Sequence, residues 1–345
     1  MPGPWDQHDQ DERRRAEPGP AGPGALPGAA GAEAAAAPPP GAGRGEPADP
    51  GITPRGSVPG PGGARKAPAG PGAGYRPVPA GQRTLRAVLA YDGTDFAGWQ
   101  RQAGRRTVQQ VVEEAISRLL GHPVRVTAAG RTDAGVHARA QVIHWQTARP
   151  FPVERLVPAL RGLLPPDVAA VAAGEAPAGF HARYAARRKT YVYHLWRAPV
   201  ADPLHRRWQW HLPLALDVAA MAEAARRLEG HHDFAAFKAA GSPVRNTRRT
   251  LYRCRLEEHG PLLRIVLEAD GFLMHMARGI VGTLVEIGRG RWPAGHVDTL
   301  LATGRRQLAG PTAPAHGLIL WRVEYDDWVA EGPPWPGAPP GLSRP

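Results

Sequence analysis

The chain has 345 residues, with 43 Lys and Arg against 31 Asp and Glu, a formal net charge of +12 and a single cysteine. One cysteine excludes an intramolecular disulfide and a cysteine-based zinc site. No apolar run of about 18 residues occurs, so no helix of the chain is predicted to span a membrane.

The charge is uneven. Residues 1–82 hold eight basic and eight acidic residues, so the whole excess of +12 falls on 83–345. A strongly basic region points to a polyanionic partner, nucleic acid before an anionic membrane, although a basic soluble protein from an Arg-rich proteome has the same composition. Residues 1–82 also contain 18 Pro and 18 Gly and few large apolar side chains. Such a segment cannot bury enough apolar surface to offset chain entropy and is predicted to be disordered. It lacks the apolar core of a secretory signal, and its acids disfavour a transit peptide. A tail, a linker and a mis-assigned start codon all fit it.

The ordered part is predicted to open with a strand at TLRAVLAYDG, 84–93, followed by a basic loop at 96–106 with an exposed aromatic. TVQQVVEEAISRLLG then has the strongest helical signal. Thr107 can cap it, Gln110 completes a capping box, and Gly121 stops it. Val108, Val111, Val112, Ala115, Ile116, Leu119 and Leu120 fall on one stripe. Strands are predicted at 124–130 and 139–147, a helix at 153–164, a short strand at 167–173 and a strand at 187–197. The last of these puts Tyr191, Tyr193 and Leu195 on one face. A helix from Asp217 to Glu229 buries Val218, Met221, Ala222, Ala225 and Leu228 and ends at Gly230. A hairpin over 250–271 turns at His259-Gly260-Pro261, followed by helices at 273–288 and 296–303 and a strand at 318–325.

This order predicts an α+β fold of two similar α/β halves, with largely antiparallel sheets forming a central cleft. The halves are 83–187 and 188–328, flanked by the 1–82 tail and a loose Pro-rich 329–345.

Familiar site types are missing: there is no Walker loop, no HExxH and no GxSxG. His231 and His232 lack a third well-spaced ligand, so a polar helix-end turn is favoured over a metal site. AAGRTDAGVHARAQVIHW, 128–145, is different. Gly130 and Gly135 bound a turn that can bring backbone close to a ligand, and Asp133 sits between them. An aspartate there can be a nucleophile or base without a cofactor, with Arg131 and Arg139 supplying anion contacts. It can equally be an aspartate that hydrogen-bonds its own turn.

GRTDAGVHARAQVIHW resembles the catalytic signature of the tRNA pseudouridine synthase A family. YDGTDFAGWQRQ (91–102), FHARYAARRKTYVY (180–193), HHDFAAFK (231–238), GFLMHMARGIVGTLVEIG (271–288) and APAHGLILWRVEY (313–325) resemble its other blocks, in family order. Residues 1–82 have no counterpart. The resemblance implies isomerisation of uridine to pseudouridine in the anticodon stem-loop of tRNA, at nucleotide positions 38, 39 and 40. It implies Asp133 as nucleophile, Tyr191 as the contact to the target base, Arg278 as the partner of Asp133 and Arg131 as an aid to base flipping. It further implies a cytoplasmic homodimer that grips tRNA across both subunits and needs no metal or organic cofactor.

Local pattern alone reads Tyr191 as an ordinary core tyrosine, since Tyr193 shares its face, and Arg278 as a solvated residue at the edge of its helix stripe. A pseudouridine synthase with another RNA target, or a non-catalytic tRNA-binding or chaperone protein on the same fold, are the competing functions.

Overall fold

A computed structural model describes residues 81–333. The expected disorder of 1–82 and looseness of 334–345 lie outside the described residues, apart from Gly81 and Gln82. The elements in order are β1 (Arg83–Tyr91), α1 (Val108–Leu120), β2 (Thr127–Ala128), β3 (His137–Thr147), α2 (Leu156–Leu163), β4 (Val168–Glu175), β5 (Arg188–Trp196), β6 (Trp210–His211), α3 (Val218–Leu228), β7 (Gly230–Asp233), β8 (Arg248–His259), β9 (Leu262–Ala269), α4 (Met276–Gly288), α5 (His296–Thr303), β10 (Leu318–Glu324) and β11 (Val329–Glu331).

One mixed sheet runs through the whole described region in the order β4-β1-β3-β10-β5-β9-β8-β7, with β2 on β3, β6 on β5 and β11 on β10. Neighbours are antiparallel except at β3–β10 and β5–β6. The order repeats: β4-β1-β3 is matched by β10-β5-β9, each trio with its first strand in the middle. Central strands are covered on both faces, which is why β3 is buried at almost every position rather than at alternate ones.

The parallel seam is short, pairing only Ile319 with His137 and Leu320 with Ala138. Further along, the same edge of β3 is taken by β2, with Thr127 opposite His144 and Ala128 opposite Ile143. Loop 129–136 therefore emerges where β10 and β2 part company, at the junction of the two strand trios. The Gln141 side chain pins it there by donating to the Gly130 carbonyl at 2.7 Å.

Helix α1 follows its sequence pattern closely. The Thr107 hydroxyl accepts from the Gln110 N–H, and Gly121 closes the helix at φ 70°. The capping box is only half made, because the Gln110 side chain bonds Glu114 instead of reaching back. Helix α4 is longer in its sequence pattern than in fact. It begins at Met276, after His275 in a left-handed conformation at φ 63°. Nearly every residue of α4 is buried, Glu286 included. Gly282 allows this, because a Cβ there would overlap the Pro311 carbonyl.

Several sequence expectations need correction. The strand expected over 124–130 reduces to two residues, and the helix at 153–164 begins with a 3-10 turn. Helix α3 buries Ala224 where Ala222 and Val218 were expected, and Gly230 opens β7 rather than ending the helix. The 96–106 loop was expected to expose an aromatic, but both of its aromatics, Phe96 and Trp99, are buried. Residues Val329–Glu331, expected to be loose, pair with β10 through Arg322, Val323 and Glu324. Three residues carry too little periodicity to announce a strand, and the pairing partner supplies the missing hydrogen bonds.

Candidate active site

The loop that carries Asp133 is fixed from three sides. Thr132 is buried, with its hydroxyl 2.8 Å from the Tyr91 hydroxyl of β1. Its carbonyl accepts from the Trp99 N–H at 3.0 Å, and the Asp133 carbonyl accepts from Val136 N at 3.1 Å to close the turn. Gly135 takes φ 75°, a left-handed conformation that glycine adopts without steric cost. Gly98 lies against the underside of the turn at φ 91°, where a Cβ would stand 2.9 Å from the Thr132 carbonyl oxygen. Gly130 has an ordinary backbone, and the chain of Lys189 passes about 3.7 Å from where its Cβ would be.

On the β3 side, His137 ties three segments together. Its Nε2 donates to the His316 carbonyl at 3.1 Å, and its Nδ1 lies 2.9 Å from the Gly93 N–H and 3.1 Å from Asp92 Oδ1. Burial opposes ionisation of Asp92. The His137 ring and the hydroxyl and N–H of Thr94 outweigh it, holding that carboxyl well below the usual carboxylate range.

Across the seam, Arg278 in the first turn of α4 reaches the loop. Its Nη1 donates to Asp133 Oδ2 at 3.0 Å, while its Nε donates to the Ala313 carbonyl at 2.7 Å. The planar guanidinium is thus aimed by one bond and engaged by the other. Asp133 Oδ1 has no partner among the described residues. Tyr191 completes the group from β5. Its ring meets Phe272 edge-on at 5.0 Å between centroids. Burial first, then the neighbouring Tyr91 and Asp133, push its hydroxyl well above the ordinary tyrosine range, so it stays protonated.

The core-tyrosine reading suits Tyr193, whose hydroxyl donates to the Pro314 carbonyl at 2.9 Å. It suits Tyr191 less well, because that hydroxyl has no hydrogen bond among the described residues. Arg131 stands on the loop, exposed and without an ion pair or side-chain hydrogen bond among the described residues. Arg139 does not serve Asp133. It is buried over the Trp321 ring at 4.0 Å and donates to the Pro333 carbonyl.

His275 was not singled out from the sequence. Its Nε2 lies 3.6 Å from Asp133 Oδ2. It precedes the helix, so helical periodicity could not mark it. Its left-handed φ costs roughly 1–2 kcal/mol in a non-glycine residue, and such strain concentrates at functional sites.

His231 and His232 sit in β7, where His231 Nδ1 lies 3.1 Å from the Thr250 hydroxyl and His232 Nε2 lies 2.9 Å from the Glu229 carbonyl. Among the described residues no cluster of three His, Cys, Asp or Glu is placed to hold a metal ion. No helix among them is long and apolar enough to cross a membrane. A cavity of about 370 Å³ opens nearby beside Tyr91, His137, Arg139 and Trp208, but Asp133, Tyr191 and Arg278 are not in its wall.

The family model described as tRNA pseudouridine synthase matches residues 87–185 and 224–326. A protein named tRNA pseudouridine synthase A from Moorella thermoacetica is 51% identical over 243 residues, covering 70% of this chain and 99% of that protein. Its namesake from Geobacillus kaustophilus is 46% identical over 245 residues, covering 70% of this chain and 95% of that protein. The one from Geobacter sulfurreducens is 45% identical over 243 residues, covering 70% of this chain and 100% of that protein.

Proposed function

Because this chain belongs to the tRNA pseudouridine synthase family, we propose that it isomerises uridine to pseudouridine in the anticodon stem-loop of tRNA, at positions 38, 39 and 40, with Asp133 as nucleophile. The observation that carries the reading is the contact of Arg278 with Asp133 at 3.0 Å, beside the unbonded hydroxyl of Tyr191.

The reaction breaks the bond from N1 to C1′, turns the uracil and joins C5 to C1′; C5 loses its proton and N1 gains one, so the product is an isomer of the substrate. It is redox-neutral and transfers no external group, so its balance calls for no cofactor. The target base is reached only after flipping from the stack, at roughly a few kcal/mol. Arg131, exposed and unengaged, is suited to hold the space it leaves. Arg278 holds Oδ2 of Asp133 and leaves Oδ1 to attack either C1′ or C6. Tyr191 offers a ring for the uracil to stack on and a hydroxyl that remains a proton donor. The basic excess of 83–345 supplies phosphate contacts.

In this reading the strand trios from 83–187 and 188–328 are the walls of the substrate cleft. The protein works where tRNA is matured, in the cytoplasm, as a homodimer that grips one tRNA across both subunits. Sedimentation at micromolar concentration tests the dimer, and a monomer that remains fully active removes it.

The chemical test uses a tRNA transcript with wild type and Asp133→Asn. Wild type is expected to form pseudouridine at the anticodon stem-loop, and Asp133→Asn to bind tRNA but lose conversion by at least about a thousandfold. A 5-fluorouridine tRNA should give a stable adduct with wild type and none with the variant. Tight binding by wild type without conversion would favour a non-catalytic tRNA-binding protein. Pseudouridine only at other positions would favour another RNA target.

A further inference from the structure

We infer that Tyr184 is a stacking platform for an unpaired base of the substrate RNA flanking the target uridine, and that Arg183 and Lys189 meet the phosphates between the two. This rests on the proposed RNA substrate and names which part of the chain receives the strand next to the reacting nucleotide.

Among the described residues two tyrosine rings are exposed by more than two-fifths, Tyr252 and, the more open of the two, Tyr184 at 46%. Its position is rigid. The ring stacks on His181 at 4.2 Å with 28° between planes, and His181 in turn meets His144 of β3 at 4.8 Å. His181 Nδ1 accepts from the N–H groups of Arg183 and Tyr184 at 3.2 and 3.3 Å, and His144 Nδ1 accepts from Ala182 N at 3.1 Å. Burial lowers the affinity of both imidazoles for a proton, to about 4 for His144, so an uncharged aromatic ladder runs from the sheet out to the exposed ring. A fixed aromatic face loses little entropy when a base stacks on it, and every base has a π-face to offer.

The surroundings match a polyanion. Arg183 is exposed, with its guanidinium 5.8 Å from the Tyr184 ring. Lys189 lies two residues before Tyr191 on β5 and hence on the same face, with its chain against Gly130. It is buried, and its ammonium has no hydrogen bond or ion pair among the described residues. Arg183 and Arg249 oppose its charge and Asp270 favours it, while the Asp270 carboxylate already accepts from Thr250 N at 3.1 Å. Burial, the largest influence, pushes Lys189 down to about 8. The fold gains nothing from such a buried cation, but an incoming phosphate would.

The test measures tRNA binding by fluorescence anisotropy across salt concentrations, melting temperature, and pseudouridine formation. It uses wild type, Tyr184→Leu, Tyr184→Phe and Lys189→Met. Tyr184→Leu keeps apolar cover over His181 but removes the π-face. It should weaken binding about 5- to 100-fold, the worth of one base stack, with the salt slope and melting temperature unchanged. Tyr184→Phe should bind like wild type. Lys189→Met should lower the salt slope by about one phosphate contact without lowering the melting temperature. Tyr184→Leu binding as tightly as wild type, or Lys189→Met with an unaltered slope, overturns the inference. A wild type that binds tRNA but forms no pseudouridine instead overturns the proposed reaction, and these binding comparisons remain decisive for the platform.

Discussion

Asp133 and Arg278 are 145 positions apart in the chain, yet they share a 3.0 Å bond. Arg278 is ordinary by local pattern, and the pairing is what joins it to Asp133 in a site. His275 shows the strain attached to it. His275→Gly should raise stability by about 1 kcal/mol in a thermal melt, since glycine accepts φ 63° freely. The same change removes a ring 3.6 Å from Asp133 Oδ2 and should lower the turnover rate. Equal or lower stability would show that the conformation is unstrained. Lys189 makes a related case by pH. Its folded value, about 8, lies below the ordinary 10.5, so the unfolded chain binds more protons between these values and stability rises with pH there. Lys189→Met should therefore be more stable than wild type at pH 7, on the order of 1–3 kcal/mol. The gap should close between pH 8 and 10.5 in denaturant titrations. A pH-independent gap would mean that lost packing, not charge burial, separates the two proteins. In the sequence, Asp133 was conspicuous because two glycines bracket it. By periodicity Tyr191 and Tyr193 were alike and only the family resemblance singled out Tyr191, because which hydroxyl finds the Pro314 carbonyl depends on a segment 121 residues away.

Among the elements, α1 was the easiest to foresee, since its cap, stripe and stop are all local. Loop 129–136 is the opposite case: its shape is imposed by Trp99, Tyr91 and Gly98, from segments remote in sequence. Gly98→Ala tests that dependence. The new Cβ would meet only backbone atoms of 132–134 at about 3 Å, and φ 91° is strained for alanine. The variant should lose about 1–3 kcal/mol in denaturant melts. Its conversion rate should fall further than its tRNA affinity, because the displaced atoms belong to the Asp133 turn. Unchanged kinetics would mean that the loop tolerates movement. The short β2, β6, β7 and β11 were not foreseen as such. A two- to four-residue strand has no period to read, and it exists because a longer neighbour has an unpaired edge.

For the molecule as a whole, charge distribution leads to a prediction about binding. Because residues 1–82 are neutral overall, removing residues 1–80 should leave the dependence of tRNA affinity on salt unchanged. The full chain should lose at least about tenfold in affinity between 50 and 200 mM salt. A shallower slope after truncation would place phosphate contacts in that segment. The sequence by itself determined the class of fold, the main helices and strands, the basic character of 83–345 and the identity of the candidate aspartate. These depend on composition, period and local turn chemistry, which neighbouring residues set. Only the tertiary structure decided that both strand trios join in a single sheet through the two-pair seam of β3 and β10. Arg278 was implied as the partner of Asp133 by the family resemblance alone; the tertiary structure gives that contact, turns Arg139 away onto Trp321, and leaves the Tyr191 rather than the Tyr193 hydroxyl unbonded among the described residues. Those outcomes depend on which distant segments meet, and sheet order sets that where side-chain periodicity cannot.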